Sequence, residues 1–137
     1  MPLLTVEAHT FGDGSDNWTA EARRELDANQ WNGHVGQKLV SETEHVRVWM
    51  MHLEPGERMP FHRHVLNYFW TALLPGRARS RYGDGSVRTY EYSRGETLHL
   101  TFPGGSGMVH DLTNIGETAI AFVTVEFLDS PNRALDL

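Results

Sequence analysis

From Gly33 onward, closely spaced turn residues divide the chain into short apolar segments, and this pattern restricts the possible fold more than any other feature. Turns are indicated at Pro55-Gly56, Pro75-Gly76, Gly83-Asp84-Gly85-Ser86 and Ser93-Arg94-Gly95-Glu96. Between them lie runs rich in β-branched and aromatic residues, such as VRTYEY and AIAFVTVEFL. Roughly eight or more short strands at such spacing are typical of a β-sandwich or a β-barrel. The sequence therefore predicts an all-β fold.

The segment that precedes Gly33 has a different character. Residues 3–11, LLTVEAHTF, predict an opening strand, and a polar turn, GDGSDN, follows it. From Thr19 to Asn29 the residues favour a helix, because Thr19 suits the N-cap and Glu21 lies in the first turn. The apolar residues of this helix are few, which predicts a position on the surface: Ala20, Ala22, Leu26 and Ala28.

Composition and charge exclude several classes of function. The net charge of -6 argues against a nucleic-acid partner, since phosphate binding requires a basic surface. No apolar run approaches the length that crosses a bilayer, and the first residues lack the pattern of a signal peptide. The protein is therefore expected in the cytoplasm, without a membrane partner. Because it contains no cysteine, disulfides, thiolate metal sites and a cysteine nucleophile are excluded.

Two of the 8 histidines have the spacing of metal ligands. His62 and His64 lie in MPFHRH, between the Pro55-Gly56 turn and the apolar run YFWTALL. Alternate residues of an extended strand face the same side, so the two imidazoles project together and can bind one ion. His110 follows the glycine-rich turn 103–107 and is the candidate third ligand.

These residues resemble the cupin superfamily, whose members are double-stranded β-helix (jelly-roll) barrels with a metal site in the mouth. The resemblance is to the small, single-domain, RmlC-like cupins. The first cupin motif reads Gly, five residues, His-x-His, three or four residues, Glu, six residues, Gly. Four residues fit this spacing: Gly56, His62, His64 and Gly76. The usual glutamate is missing, and an aromatic residue takes its place according to the gap chosen, either Tyr68 or Phe69.

The second cupin motif is matched in order, with two additional residues in each of its first two gaps. The matching residues are Gly95, Pro103-Gly104-Gly105, His110 and Asn114. The resemblance implies a cupin barrel over residues 40–128 and a C-terminal tail over 129–137. It also implies that residues 1–39, with the short helix, form an extension that packs on the barrel or is exchanged with a second copy. Cupins of this kind commonly pair through N-terminal strands, so a homodimer is expected.

The resemblance further implies a mononuclear metal centre held by His62, His64 and His110. With imidazole ligands Fe(II) is favoured, while Zn, Ni, Mn or Cu can also be held. Similar three-histidine sites occur in cupin dioxygenases that act on thiols and diketones, so a dioxygenase-type oxidoreductase acting on a small organic molecule is expected. The alternatives are a non-catalytic cupin that binds a metal or small ligand as a sensor or accessory protein, a cupin isomerase, and a barrel with an empty pocket.

Further residues are candidates for the pocket. Tyr68 is the candidate catalytic residue, as a hydrogen-bond donor to bound substrate or dioxygen. His52, His99 and Tyr68 are candidates for a fourth protein ligand. His52 is favoured because it lies near the end of the predicted strand that precedes MPFHRH. The expected pocket lining is His52, Met50, Trp70, His99 and Phe102. One face of RARSRY carries a row of arginines, which either binds an anion or forms a solvated or dimer-forming face: Arg77, Arg79 and Arg81.

Overall fold

The computed structural model describes the backbone of residues 5–9 and the whole of residues 17–137. These residues form two five-stranded sheets and one helix. The elements, in chain order, are β1 (Thr5–His9), α1 (Ala20–Ala28), β2 (Lys38–Glu42), β3 (Val46–Leu53), β4 (Arg58–His64), β5 (Tyr68–Ala72), β6 (Gly76–Arg81), β7 (Val87–Tyr92), β8 (Thr97–Leu100), β9 (Met108–Asn114) and β10 (Ile120–Phe127). The predicted all-β fold with one short helix near its N-terminal end is confirmed.

The chain crosses repeatedly between the two sheets, which enclose the core. The strand order is β1-β7-β6-β9-β4 in the first sheet and β2-β3-β10-β5-β8 in the second, and all named neighbours are antiparallel. This topology makes β4 and β9 neighbours although they are distant in sequence. The main core cluster draws on both sheets, as in a barrel: Met51, Leu53, Met59, Ala72, Ala78, Tyr92, Leu112, Ile120 and Phe122.

The helix has the bounds and the surface position that the sequence predicts. Thr19 is the N-cap, and its side-chain oxygen accepts a hydrogen bond from the Ala22 N–H at 3.1 Å. Ala22 is buried, and the rest of the helix is exposed or half-buried. The helix packs outside the first sheet through a small cluster in which the Trp18 ring stacks on Phe61 at a centroid distance of 5.8 Å.

A buried network of charges joins the helix to the sheet. Asp111 of β9 is fully buried, and its carboxylate accepts hydrogen bonds from Arg81 at 2.7 Å and from Arg58 at 2.9 Å. Arg58 also donates two hydrogen bonds to Glu25 of the helix, at 2.7 and 2.8 Å. The pKa of Glu25 is lowered, chiefly by this contact with Arg58. Paired and hydrogen-bonded in this way, the charges tolerate burial, and the network fixes α1 to β4, β6 and β9.

The N-terminal part of the chain also covers the exposed edge of β4. The carbonyl of Phe61 accepts hydrogen bonds from the side-chain amides of Asn29 at 3.0 Å and Asn32 at 2.9 Å. The N–H of Phe61 donates to Glu25 at 3.0 Å, and the N–H of Arg63 donates to the Asn32 carbonyl at 2.7 Å. The helix and the loop after it therefore satisfy backbone groups that a further strand would otherwise pair.

The strand predicted within residues 3–11 is confirmed for Thr5–His9, which pairs with β7 of the same chain. Most of the polar turn predicted after it, residues 12–16, lies outside the described residues. Exchange of the N-terminal segment with a second copy stays a prediction. Among the described residues no helix is long and apolar enough to span a membrane.

Replacing Asp111 with Asn should destabilise the protein strongly, because it leaves Arg81 without a carboxylate and Arg58 with only that of Glu25. The expected loss in the free energy of unfolding is about 3–5 kcal/mol. Urea denaturation followed by circular dichroism measures it. The matched control is Glu91→Gln, which removes an exposed carboxylate 3.5 Å from Arg77, and its expected effect is below about 1 kcal/mol. Equal effects of the two substitutions would contradict a structural role for the network.

Candidate metal centre

Strands β4 and β9 carry the three histidines predicted as metal ligands. His62 pairs directly with His110 across the antiparallel ladder, and His64 lies two residues further along β4. The register shifts between Met59 and His62, which marks a β-bulge in the strand. This irregularity shifts the alternation of side chains, so that Met59 and His62 both face the barrel interior while Phe61 is buried under the helix.

The three imidazole rings converge. The centroid of His62 lies 4.6 Å from that of His110 and 5.1 Å from that of His64, and the latter two are 5.2 Å apart. One ligating nitrogen of each ring lies within 4.8 Å of the other two. Two imidazole nitrogens on one ion are at most about 4.2 Å apart, so small ring rotations suffice to close this set around an ion.

Hydrogen bonding distinguishes His62 from the other two rings. Its Nδ1 lies 2.7 Å from the carbonyl of Pro60, which only accepts, so Nδ1 carries the proton and Nε2 has the free lone pair. The Nδ1 atoms of His64 and His110 are buried and have no hydrogen-bond partner in the described part of the chain. Buried polar atoms without a partner are rare, and an ion or ligand bound through these Nδ1 atoms would supply the missing partner. The donor set therefore fits a divalent transition-metal ion.

Burial keeps the three rings neutral. Loss of hydration lowers the pKa of His62 to about 4, against smaller opposing effects of the Pro60 carbonyl and the Asp111 charge. Burial also lowers the pKa of His64 and of His110 well below the usual histidine value, and neighbouring histidines add to the effect. Neutral imidazole is the form that binds metal ions, so near neutral pH protons compete little for these nitrogens.

Tyr68 occupies the inner of the two aromatic positions where the cupin motif has glutamate. Its ring stacks on His64 with centroids 4.0 Å apart and an interplanar angle of 10°. Phe69 contacts His99, away from the histidine cluster. Burial, and secondly the charge of Glu126, raises the pKa of Tyr68 well above the usual tyrosine value. The phenol therefore stays protonated and acts as a hydrogen-bond donor.

A cavity of about 130 Å³ lies beside the histidines, between the two sheets. Its walls are mainly apolar and aromatic, as in most sites for small molecules. Tyr82 stacks on His110 with centroids 5.5 Å apart, and its hydroxyl is hydrogen-bonded to that of Tyr90. The cavity thus combines three neutral ligating rings with an apolar enclosure and a pair of phenols.

The structure corrects part of the predicted pocket. Trp70 lines the cavity as predicted, while Met50, His52 and His99 are not among its lining residues. The side chain of His52 is 56% exposed and lies 3.9 Å from Glu54, so it is no fourth ligand. His99 is exposed and packs against an outward-facing phenylalanine. Strand alternation explains the error, because the immediate neighbours of these residues line the cavity instead: Met51, Leu98 and Leu100.

Phe102 and the arginine row also lie outside the cavity wall. Phe102 is buried behind Tyr68, with its ring stacked at a centroid distance of 6.2 Å. In β6 the inward positions are held by small residues, of which Ser80 lines the cavity. The arginines alternate with these and face outward, and Arg81 is held by Asp111. The row of Arg77, Arg79 and Arg81 therefore lies on the outer face of the sheet, away from the cavity.

Sequence reasoning missed the tyrosines of the cavity, Tyr82, Tyr90 and Tyr92. A signal was present, because Tyr90 and Tyr92 alternate in VRTYEY and therefore share one face of the strand. Which face turns inward is not determined by that segment alone. Tyr82 lies just after β6, where an isolated bridge to His110 fixes its position.

Solved structures with the same architecture include proteins described as cupins. A cupin domain from Bordetella pertussis Tohama I is 26% identical, with a TM-score of 0.57 over 66% of this chain and 88% of that chain. A conserved protein with a double-stranded β-helix domain from Klebsiella pneumoniae is 29% identical, with a TM-score of 0.51 over 69% and 75%. An RmlC-like cupin family protein from Methanocaldococcus jannaschii shares 22% identity, with a TM-score of 0.51 over 64% and 73%.

These likenesses confirm the predicted double-stranded β-helix fold. No protein-family model matches the chain, and no curated protein matches it. The geometry of the histidine cluster and the cavity must therefore carry the functional argument.

A buried carboxyl group lies next to this site in the wall of β10. Glu126 accepts a hydrogen bond from the indole N–H of Trp49 at 2.7 Å and is opposite Tyr68 in the strand register. Burial raises the pKa of Glu126 to about 7, against the opposing effects of Trp49 and Arg47. A carboxyl group whose pKa is raised by folding costs stability once the pH exceeds its unfolded value.

Glu126→Gln should therefore stabilise the metal-free protein at pH 8 and have little effect at pH 4. The unfolded wild type loses its proton near pH 4.5, whereas the folded state retains it until about pH 7. The gain should appear across this interval and reach about 1–3 kcal/mol above it. Urea unfolding from pH 4 to pH 8 measures the difference, with Glu91→Gln as the exposed control. A constant difference over the whole range would contradict the raised pKa.

Proposed function

Because the chain belongs to the cupin superfamily of double-stranded β-helix proteins, we propose that it is a mononuclear metal enzyme of the dioxygenase type. Its substrate is a small organic molecule bound in the cavity. The observation that carries the proposal is the convergence of His62, His64 and His110, all neutral, beside an apolar cavity that they help to line. An ion held by these three side chains would lie at the wall of the cavity, within reach of a ligand bound there.

Fe(II) is the favoured ion, and Zn, Ni, Mn or Cu suit the same nitrogen donors. A bound Fe(II) supplies open coordination positions and the redox chemistry that oxygenases use. The protein contributes the orientation of the rings, since the Pro60 carbonyl fixes the tautomer and plane of His62. Tyr68, Tyr82 and Trp70 contribute ring faces to the cavity wall, and these limit the amount of water around the reacting atoms.

Tyr68 is proposed as a catalytic residue through its phenolic proton. Its ring is fixed against His64 by stacking, and its raised pKa keeps the proton on the oxygen. The phenol then donates a hydrogen bond to an oxygen atom of the substrate that gains negative charge during the reaction. Its position, next to a ligating ring and within the cavity wall, supports this role.

A non-catalytic cupin that binds a metal or a small ligand is the second candidate. One observation favours it: among the described residues that line the cavity, no carboxylate or lysine is present to act as a general base. The same observation argues against a cupin isomerase, which must move protons between carbon and oxygen atoms. Turnover with Fe(II) distinguishes the enzyme from the binding protein.

Metal analysis tests the centre itself. Wild-type protein purified in the presence of Fe(II) or Zn(II) should hold about one ion per chain, and His64→Ala or His110→Ala should retain less than about a tenth of that. His99→Ala is the matched control, since His99 is exposed and outside the cluster, and it should retain full occupancy. Inductively coupled plasma mass spectrometry measures the content. Equal loss in the control, or no uptake by the wild type, would contradict the proposed centre.

Oxygen consumption tests catalysis. The Fe(II)-loaded protein should consume dioxygen with at least one member of a panel of diketones, thiols and keto acids, and Tyr68→Phe should lower the turnover by roughly 10–100-fold while retaining the ion. An oxygen electrode gives the rate, and metal content is measured on the same samples. A fully loaded wild type that is inactive on the whole panel would support the binding protein instead.

We also propose that the protein is a homodimer in the cytoplasm, with neither nucleic acid nor membrane as a partner. Light scattering coupled to size-exclusion chromatography gives the mass of the species in solution. The mass of a single chain, 15.6 kDa, would contradict the dimer.

A further inference from the structure

The cavity wall carries no formal charge in the part of the chain that the structure describes. Its polar side chains are histidine, tyrosine, serine and threonine, and the remainder are apolar. Glu126, a buried carboxyl group of the barrel wall, accepts a hydrogen bond from Trp49 and is not among the residues that line the cavity. Within the described residues, therefore, neither a cation nor an anion of the protein faces a bound molecule.

The basic residues of the neighbouring strands are directed outward by strand alternation. Arg58 and Arg81 are bound to Asp111, which is fully buried on the opposite side of β9 from His110. Arg63 donates to Gln30 at 2.8 Å and lies over the ring of Trp31 at 4.3 Å. None of these guanidinium groups is among the cavity-lining residues described, so a carboxylate placed deep in the cavity would have no cationic partner.

A divalent ion in the histidine cluster would favour a negative charge on the ligand, whereas the cavity wall favours uncharged groups. Three neutral imidazoles leave a divalent ion with its full 2+ charge, since the usual glutamate is replaced by Tyr68. An uncompensated ion in an apolar enclosure is costly, so an anionic atom of a ligand is favoured at the open coordination positions. Negative charge on a ligand is therefore favourable only on the atoms that bind the ion.

Resting on the proposed function, we propose that the substrate is a small monoanion. Its single negative charge lies on the atoms that reach the ion, and its remainder is uncharged and apolar. The volume of about 130 Å³ agrees with this class, since a cavity of about 150 Å³ accommodates benzene. The Tyr82–Tyr90 hydroxyl pair tolerates one neutral oxygen in the remainder. Dicarboxylates and amino acids are disfavoured, because their second charge would be desolvated without a partner.

Two carboxylates of matched shape test this specificity in the Zn(II)-loaded protein. Both 4-methylpentanoate and succinate offer one carboxylate to the ion. At the other end, 4-methylpentanoate has an isopropyl group, and succinate has a second carboxylate. Isothermal titration calorimetry should give at least about tenfold tighter binding of 4-methylpentanoate, and removal of zinc should abolish the binding of both. Equal or tighter binding of succinate would overturn the inference.

A charge-introducing variant provides the converse measurement. Leu100 is half-buried at the cavity wall, and Leu100→Lys should shift the preference toward succinate by about tenfold or more. Circular dichroism melting shows whether the variant is folded. If it is not, the affinities of the wild-type protein for 4-methylpentanoate and succinate decide the substrate class. Zinc content is measured first in every sample. Absence of zinc uptake would overturn the proposed metal centre, whereas zinc uptake with a preference for succinate would overturn only the substrate class.

Discussion

The pairing of β4 with β9 is the constraint on which the candidate centre depends. It sets His62 opposite His110, and the bulge before His62 turns that ring into the barrel while Phe61 is buried on the other side. A shift of one residue in this ladder would move all the side chains of β4 to the opposite face. The register is held from both sides, by core residues within the barrel and by the helix outside it.

Replacement of the usual acidic ligand by Tyr68 changes the electrostatics of the whole cavity. A glutamate would neutralise part of the charge of an ion, whereas a stacked phenol gives a protonated donor and no charge. The charged side chains of the first sheet lie on its outer face, where Asp111 is hydrogen-bonded to Arg58 and Arg81. On β6 and β9, the uncharged inward face and the charged outward face thus result from the same alternation of side chains.

The sequence was sufficient to predict the fold and to select the three histidines that converge, because both depend largely on local patterns. Turn residues delimit the strands, and the His-x-His spacing places two rings on one face whatever the partner strand. The lining was harder to predict, because both faces of HVRVWMMHL are apolar and either of them is suited to burial. Met51 rather than Met50 faces the cavity because Met51 packs against residues of the other sheet. That packing involves distant segments, so the sequence of this strand alone does not reveal it.

The N-terminal extension is an integral part of the barrel, because it closes the edge of the strand that bears two of the histidines. Side-chain amides of Asn29 and Asn32 occupy the carbonyl of Phe61, and Pro60 contributes no N–H to that edge. An open edge at this place would be a template for the addition of a foreign strand and hence for aggregation. The helix and the loop after it therefore protect the edge of β4, the strand that bears His62 and His64. Shortening the chain to its barrel strands would expose the segment whose geometry the site requires.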